Sequence, residues 1–173
     1  MWADLQPWVR AATATLEMLE DVPDIDVIVV PIGGGSGAAG ACIVAKAIRP
    51  EIEVFGVQSS AAPAAHSSWQ RKELVTGEMQ TFAEGLATRT AFELPQRIMR
   101  EQLDDFVLVS EDALRDATRL MIEKTRNLAE PAGAAPLAGV LADPGRFADR
   151  NVALICTGGN ISPAQLVSLW TGK

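Results

Sequence analysis

Two cysteines, one histidine and no tyrosine occur among the 173 residues of this chain, and the shortages close several classes of function. Cys42 and Cys156 lie far apart, each in an apolar or glycine-rich run, so a disulfide framework is not expected and a reducing, cytoplasmic address is. With His66 as the single imidazole, the soft ligands of a structural zinc site are also missing. Positive charge is scarce: 15 Lys+Arg stand against 22 Asp+Glu, a net charge of -7. Such a chain offers no electrostatic footprint to a phosphate backbone or an anionic bilayer, so neither nucleic acid nor a membrane is an expected partner. No apolar run approaches the ~20 residues of a membrane-spanning helix. The first ten residues lack the apolar core of a secretory signal.

What remains is an ordinary globular composition, 48% hydrophobic and 21% charged, with 14 glycines and 10 prolines, long enough to bury one core. Residues 13–20 have a helical period, and 26–31 is the continuous β-branched run of a strand buried on both faces. A glycine cluster, Gly33 to Gly37, leads into a small-residue helix over 38–48 that Pro50 stops. A second strand covers 53–58, a loop 59–63, a short helix 64–71, and a turn Thr76-Gly77. Then come a helix over 95–103, a strand over 106–109, and a helix capped by Ser110 or Asp112 that runs to about Asn127. An Ala-rich helix starts at Glu130-Pro131 and ends near Ala142, a strand covers 152–156, and Ser162 caps a last helix with Pro163 at its first position. The alternation predicts a single α/β domain over 1–173, a parallel sheet with right-handed crossovers, flanked by helices on both faces.

In such sheets ligands bind at the carboxyl ends of the strands, and two of the four strands end in glycine-rich turns, at 33–37 and at Gly158-Gly159. Consecutive glycines between a strand and a helix let backbone amides converge, and the helix start near Ser36 adds partial positive charge, so phosphate is the natural guest. A tight strand-to-helix turn with no ligand also accounts for the glycines. The loop contains a Gly-x-Gly-x-x-Gly at Gly35, Gly37 and Gly40, but the next strand ends in Gln58 where a dinucleotide site needs an acid for the ribose hydroxyls. No Gly-Lys-Ser/Thr follows, which excludes a Walker loop. A phosphate-ligand-binding module and, behind it, a dinucleotide-binding domain stay open on these residues alone.

Five blocks in order carry a more specific likeness: the strand and loop from Val29 to Gly37, Val54-Phe-Gly-Val-Gln58, Glu84-Gly-Leu-Ala87, Glu130-Pro-Ala-Gly-Ala134 and Cys156-Thr-Gly-Gly-Asn160. Together they resemble the fold type II pyridoxal-phosphate (PLP) enzymes, in the threonine/serine dehydratase (ammonia-lyase) branch, with a similarity to the dehydratases of hydroxyectoine utilisation. The resemblance implies part of the large domain of a tryptophan synthase β-like PLP fold and PLP as cofactor. Gly33, Gly34, Gly35, Ser36 and Gly37 would give backbone amides to the phosphate, although the family usually has four glycines and then a bulky residue here. Thr157 stands where the family hydrogen-bonds the pyridine nitrogen through a serine or cysteine. Gly85 and Leu86 would pass close to the ring, and Glu130 would sit at its rim. Without a ligand, Thr157 reads as a strand-end cap and Glu130 as a first-turn acid favoured by the helix dipole. Where some members hold a divalent cation, the positions read Gln58 and Ala64, so no metal is expected there.

The same resemblance exposes a shortage. The family's Schiff-base lysine lies well before the glycine loop, with an Asn-rich loop that grips the substrate carboxylate, and this chain has neither. Its four lysines, Lys46, Lys72, Lys124 and Lys173, are in no comparable context. The family's Gly-x-Gly-Thr before the first helix reads Arg10-Ala-Ala-Thr13. The expectation is the C-terminal portion of a dehydratase, without the lysine-bearing portion and a poor enzyme by itself. The full enzyme would convert a small hydroxy amino acid to a 2-oxo acid and ammonia. A homo-oligomer or a complementing chain is the expected partner, with the Ala-rich 132–142 segment as an association face.

Overall fold

The computed structural model describes residues 6–171, with side chains from Ala12 onward. Among these residues seven helices and four strands alternate: α1 Gln6–Asp21, β1 Val27–Pro31, α2 Ser36–Ile48, β2 Glu53–Ser59, α3 Ala64–Arg71, α4 Glu93–Gln102, β3 Asp105–Val109, α5 Glu111–Thr125, α6 Pro131–Ala142, β4 Val152–Leu154 and α7 Pro163–Thr171. All strand pairs are parallel, in the order β3-β2-β1-β4. The fold is α/β, as its alternating pattern predicts.

β1 lies inside the sheet, between β2 and β4, and its sequence says why. Val27, Ile28, Val29 and Val30 are at most 1% exposed, with Ile28 and Val30 packed into one helical layer and Val27 and Val29 into the other. Alternate side chains leave a strand on opposite faces, so a strand covered on both sides needs an unbroken apolar run. The first layer holds Leu19 of α1, Cys42 of α2 and Met99 of α4; the second holds Leu114 of α5 and Ala134, Ala135 and Ala138 of α6. Cys42 is so deeply buried that desolvation pushes its thiol up to about 12.

The structure departs from the sequence expectations in a few places. α1 starts at Gln6 rather than at residue 13. β4 stops at Leu154, two residues short, although Ile155 N–H still donates to Val29 O at 2.9 Å. Thr76 is paired with Thr90 in an isolated antiparallel bridge, with Gly77 N–H on Arg89 O (2.9 Å), so the segment is a pairing rather than a free turn. Ser110, not Asp112, caps α5: its Oγ accepts the Ala113 amide. The Ala-rich segment expected as an association face is interior instead. Residues Pro131 to Pro136, Ala138 and Gly139 of α6 are buried, because small side chains let the helix lie directly on the sheet. Gly139 is the closest approach, where a Cβ would fall 2.6 Å from Val57 Cγ2. None of the described helices is long and apolar enough to cross a membrane.

Candidate functional site

β1 and β4 are parallel neighbours, so the glycine loop after one and the 157–160 turn after the other leave the same edge of the sheet. Between them opens a cavity of ≈ 310 Å³ lined by Pro31, Gly33, Gly34, Gly35, Ser36, Gly37, Gly85, Leu86, Glu130, Ala132 and Thr157. Every site residue expected from the sequence is on its wall. They come from four separate stretches of chain, and the strand order brings them together.

The loop glycines are required for different reasons. A Cβ on Gly33 would lie 2.3 Å from Gly85 O, which belongs to a 3-10 turn at Glu84–Leu86. On Gly34 it would meet the Phe92 ring at 3.1 Å. Gly35 adopts φ +89, a left-handed conformation, at the cap position of α2. Gly37 differs from these: a Cβ there meets nothing within 4 Å. Packing and backbone conformation thus account for three glycines and leave the fourth without a steric reason. The first intrahelical bond of α2 runs from Ala39 N–H to Gly35 O (3.0 Å), so the amides of Ser36, Gly37 and Ala38 have no intrahelical acceptor. Those amides and the helix dipole make a seat for an anionic group.

On the opposite side, Glu130 occupies the cap position of α6, where its carbonyl accepts the Ala134 amide (3.1 Å) but its side chain makes no capping bond. Its Oε2 accepts the Asn160 amide at 3.0 Å, and its own N–H donates to Gly158 O at 3.3 Å. Gly158 needs to be a glycine because of its φ of +115, and a Cβ there would also displace the Glu130 carboxylate, whose Oε1 would stand 2.3 Å away. The Glu130 carboxylate therefore ties the 157–160 turn to α6 rather than capping its own helix. Thr157 is exposed on the cavity wall. Burial raises the neighbouring Cys156 thiol, and the Glu130 charge raises it further.

Gln58 lies outside the cavity, fully buried at the end of β2, where its Oε1 accepts the His66 amide (3.0 Å). The dinucleotide reading loses its ribose partner by position as well as by residue type. Burial lowers the His66 imidazole, although the Phe106 backbone and Asp105 act in the other direction. No group of three or more His, Cys, Asp and Glu side chains suited to a metal is found among the described residues.

No lysine among the described residues lines the cavity. Lys46 is at the far end of α2, donating to Asp104 Oδ2 and Ile52 O, each at 2.8 Å. Lys72 is exposed after α3 and Lys124 is exposed in the last turn of α5; Lys173 lies outside the described residues. Sequence reasoning missed Phe92, Pro95 and Met99, which back the glycine loop from α4 and its cap. Their spacing carries no signal, because the role depends on how the irregular 72–92 segment returns to the sheet.

The residues present fit a phosphorylated ring: an open first turn of helix for the phosphate, a glycine floor, and hydroxyl and carboxylate groups across the cavity. A family model described as pyridoxal-phosphate dependent enzyme matches residues 4–158. The chain is 36% identical over 159 residues to an L-threonine ammonia-lyase of Thermotoga maritima, covering 90% of this chain and 39% of that protein. It is 34% identical over 170 residues to a serine racemase of Dictyostelium discoideum, covering 94% and 52%. The solved structure of that same serine racemase superposes with a TM-score of 0.81 at 34% identity, covering 88% of this chain and 49% of that one. A solved threonine deaminase superposes with a TM-score of 0.83 at 35% identity, covering 88% and 53%. The chain spans about half the length, or less, of the curated relatives it matches.

Proposed function

The chain belongs to the pyridoxal-phosphate dependent enzyme family, and from that premise we propose that it is the phosphate-binding and pyridine-facing portion of a threonine/serine-type dehydratase. The whole enzyme would convert a small hydroxy amino acid to a 2-oxo acid and ammonia. One observation carries this reading: the cavity that joins the open amides of α2 to Gly85, Leu86, Glu130 and Thr157. The amides of Ser36 and Gly37, and the Ser36 hydroxyl, would hold the phosphate. Gly85 and Leu86 would bound the ring and keep water from it. Thr157 would face the pyridine nitrogen with a hydroxyl, which unlike a carboxylate leaves that nitrogen largely unprotonated and favours β-elimination over transamination. When bound, the cofactor supplies the electron sink that makes the substrate α-proton acidic.

That chemistry also needs an amine to hold the cofactor and move the α-proton, and the described residues place none in the cavity. The reading is therefore of a chain that binds PLP noncovalently and depends on a lysine-bearing portion, in a cytoplasmic setting, for turnover. Intact mass after incubation with PLP and borohydride reduction is the test. Noncovalent PLP binding with no adduct, and no deamination of L-threonine or L-serine, is the expected result. A stoichiometric adduct on one lysine, or an ordinary enzymatic rate, would overturn the dependence on a second portion; absence of any PLP binding would overturn the site.

A further inference from the structure

The cavity wall that faces the glycine loop is the short turn at Glu84–Leu86, where Gly85 lies against Ala132 of α6 and Leu86 is buried in the core layer of α5 and α6. The residues just before it are gripped by the start of α5. Glu111, the first residue of that helix, accepts the Ser59 hydroxyl (2.5 Å) and the Thr81 hydroxyl (2.8 Å) on Oε1, and the Phe82 amide (2.8 Å) on Oε2. Each hydroxyl in turn accepts an amide, Ser59 Oγ from Ala61 (3.0 Å) and Thr81 Oγ1 from Ala83 (3.1 Å). The donors run one way, from amide to hydroxyl to carboxylate, so the network is satisfied only by a side chain that accepts at both oxygens. One helical turn later, the Arg115 guanidinium lies 4.3 Å from the centre of the Phe82 ring. One helix thus holds both the backbone and the ring of Phe82. Three residues on, Gly85 O occupies the space a Gly33 side chain would need.

Resting on the reading of the cavity as a PLP site, we propose that Glu111 is a positioning residue: it sets the wall formed by Gly85 and Leu86, and so the fit of the cofactor ring, without lining the cavity itself. Its carboxylate joins the end of β2, the approach to the 84–86 turn and α5 at one point. The phosphate seat on α2 uses none of these bonds. Loss of Glu111 therefore affects ring binding and phosphate binding unequally.

The dissociation constants of PLP and of inorganic phosphate, the latter by competition, are measured for the unmodified chain, Glu111→Gln and Ile52→Ala, together with melting temperatures and the visible circular dichroism of bound PLP. A glutamine keeps one acceptor and presents a donor to the other partner, so the PLP constant is expected to rise by about tenfold with a changed dichroic band, while the phosphate constant rises by much less. Ile52 is fully buried just before β2, at the end away from Ser59, so its truncation lowers the melting temperature and leaves the ratio of the two constants alone. If Glu111→Gln does not fold, Thr81→Val and Ser59→Ala each remove one donor, and a smaller rise in the same ratio is expected. An unchanged PLP constant in the folded variants, or equal losses of PLP and phosphate, would overturn the role of Glu111 while leaving the site in place. No PLP binding by the unmodified chain overturns the site, and the role of Glu111 with it.

Discussion

The glycine loop after β1 and the 157–160 turn after β4 leave neighbouring strands at one edge of the sheet, yet they are held very differently. β1 is paired on both sides and buried, and its loop is pressed from behind by Phe92, Pro95 and Met99 and from in front by Gly85 O. β4 has three residues, pairs only with β1 among the described residues and is half-buried along its length. The turn after it is exposed and anchored through Glu130 to the Asn160 amide and Gly158 O. The glycine-loop end of the cavity is preorganised by packing, and the 157–160 end by a few hydrogen bonds at an edge. Packing against backbone resists adjustment, whereas an exposed turn moves at small cost, so the two ends should answer differently to substitution.

The largest expected effect is that of Gly33→Ala. Its Cβ meets a backbone oxygen that cannot turn aside, so the fold should lose about 2–3 kcal/mol by urea denaturation, and PLP binding should fail with it. A stability near that of the parent chain would show that the 84–86 turn is free to yield. Thr157→Val sharpens the contrast from the other side. Being exposed, it should change stability by less than about 0.5 kcal/mol, yet weaken PLP by about tenfold through the lost hydroxyl, read by fluorescence titration. Equal stability losses in these two variants would break the distinction between the ends.

Gly37→Ala separates ligand from packing inside the loop itself. With nothing within 4 Å of the new Cβ and a helical position under it, the fold should gain about 0.5–1 kcal/mol, seen as a higher melting temperature. The smallest effect concerns neither end. Burial holds the His66 imidazole below its usual 6.5, so the unfolded chain binds the extra proton first as pH falls. That contribution to stability is intact above 6.5 and is lost progressively as pH drops from there toward the lowered folded value. Urea midpoints at about pH 8 and about pH 5.5 should differ more in the parent than in His66→Phe, whose ring can keep the edge contact with Phe106.

Most of the layering was legible because its signals are local. The run from Val27 to Val30, the cap at Ser110 and the Ser162-Pro163 start of α7 each state an element in a few residues. The glycine turns after β1 and β4 were legible because they stand at strand ends, where few structural demands compete, whereas Gly85, Leu86, Glu130 and Thr157 were reached only through the family resemblance. The reason each glycine is a glycine was not legible. Gly33 answers to Gly85, Gly158 answers to Glu130 and Gly139 answers to Val57, partners 28 to 82 positions away that no period or spacing connects. The Ala-rich 132–142 segment misled for a related cause: small residues suit an association surface and an interior helix equally, and only the seat of α6 on the sheet distinguishes them.

By itself, the sequence determined the α/β alternation, the strand ends that carry glycine turns and the shortage of lysines, since these follow from side-chain type and chain-local geometry. Tertiary structure alone decided that β4 lies beside β1, that Glu130 holds the turn after β4, that Lys46 is tied to Asp104 far from the cavity, and that Glu111 reaches Ser59, Thr81 and Phe82 at once. Each depends on which distant backbones come within van der Waals or hydrogen-bonding distance, and close packing fixes that only when the whole sheet and both helical layers are assembled.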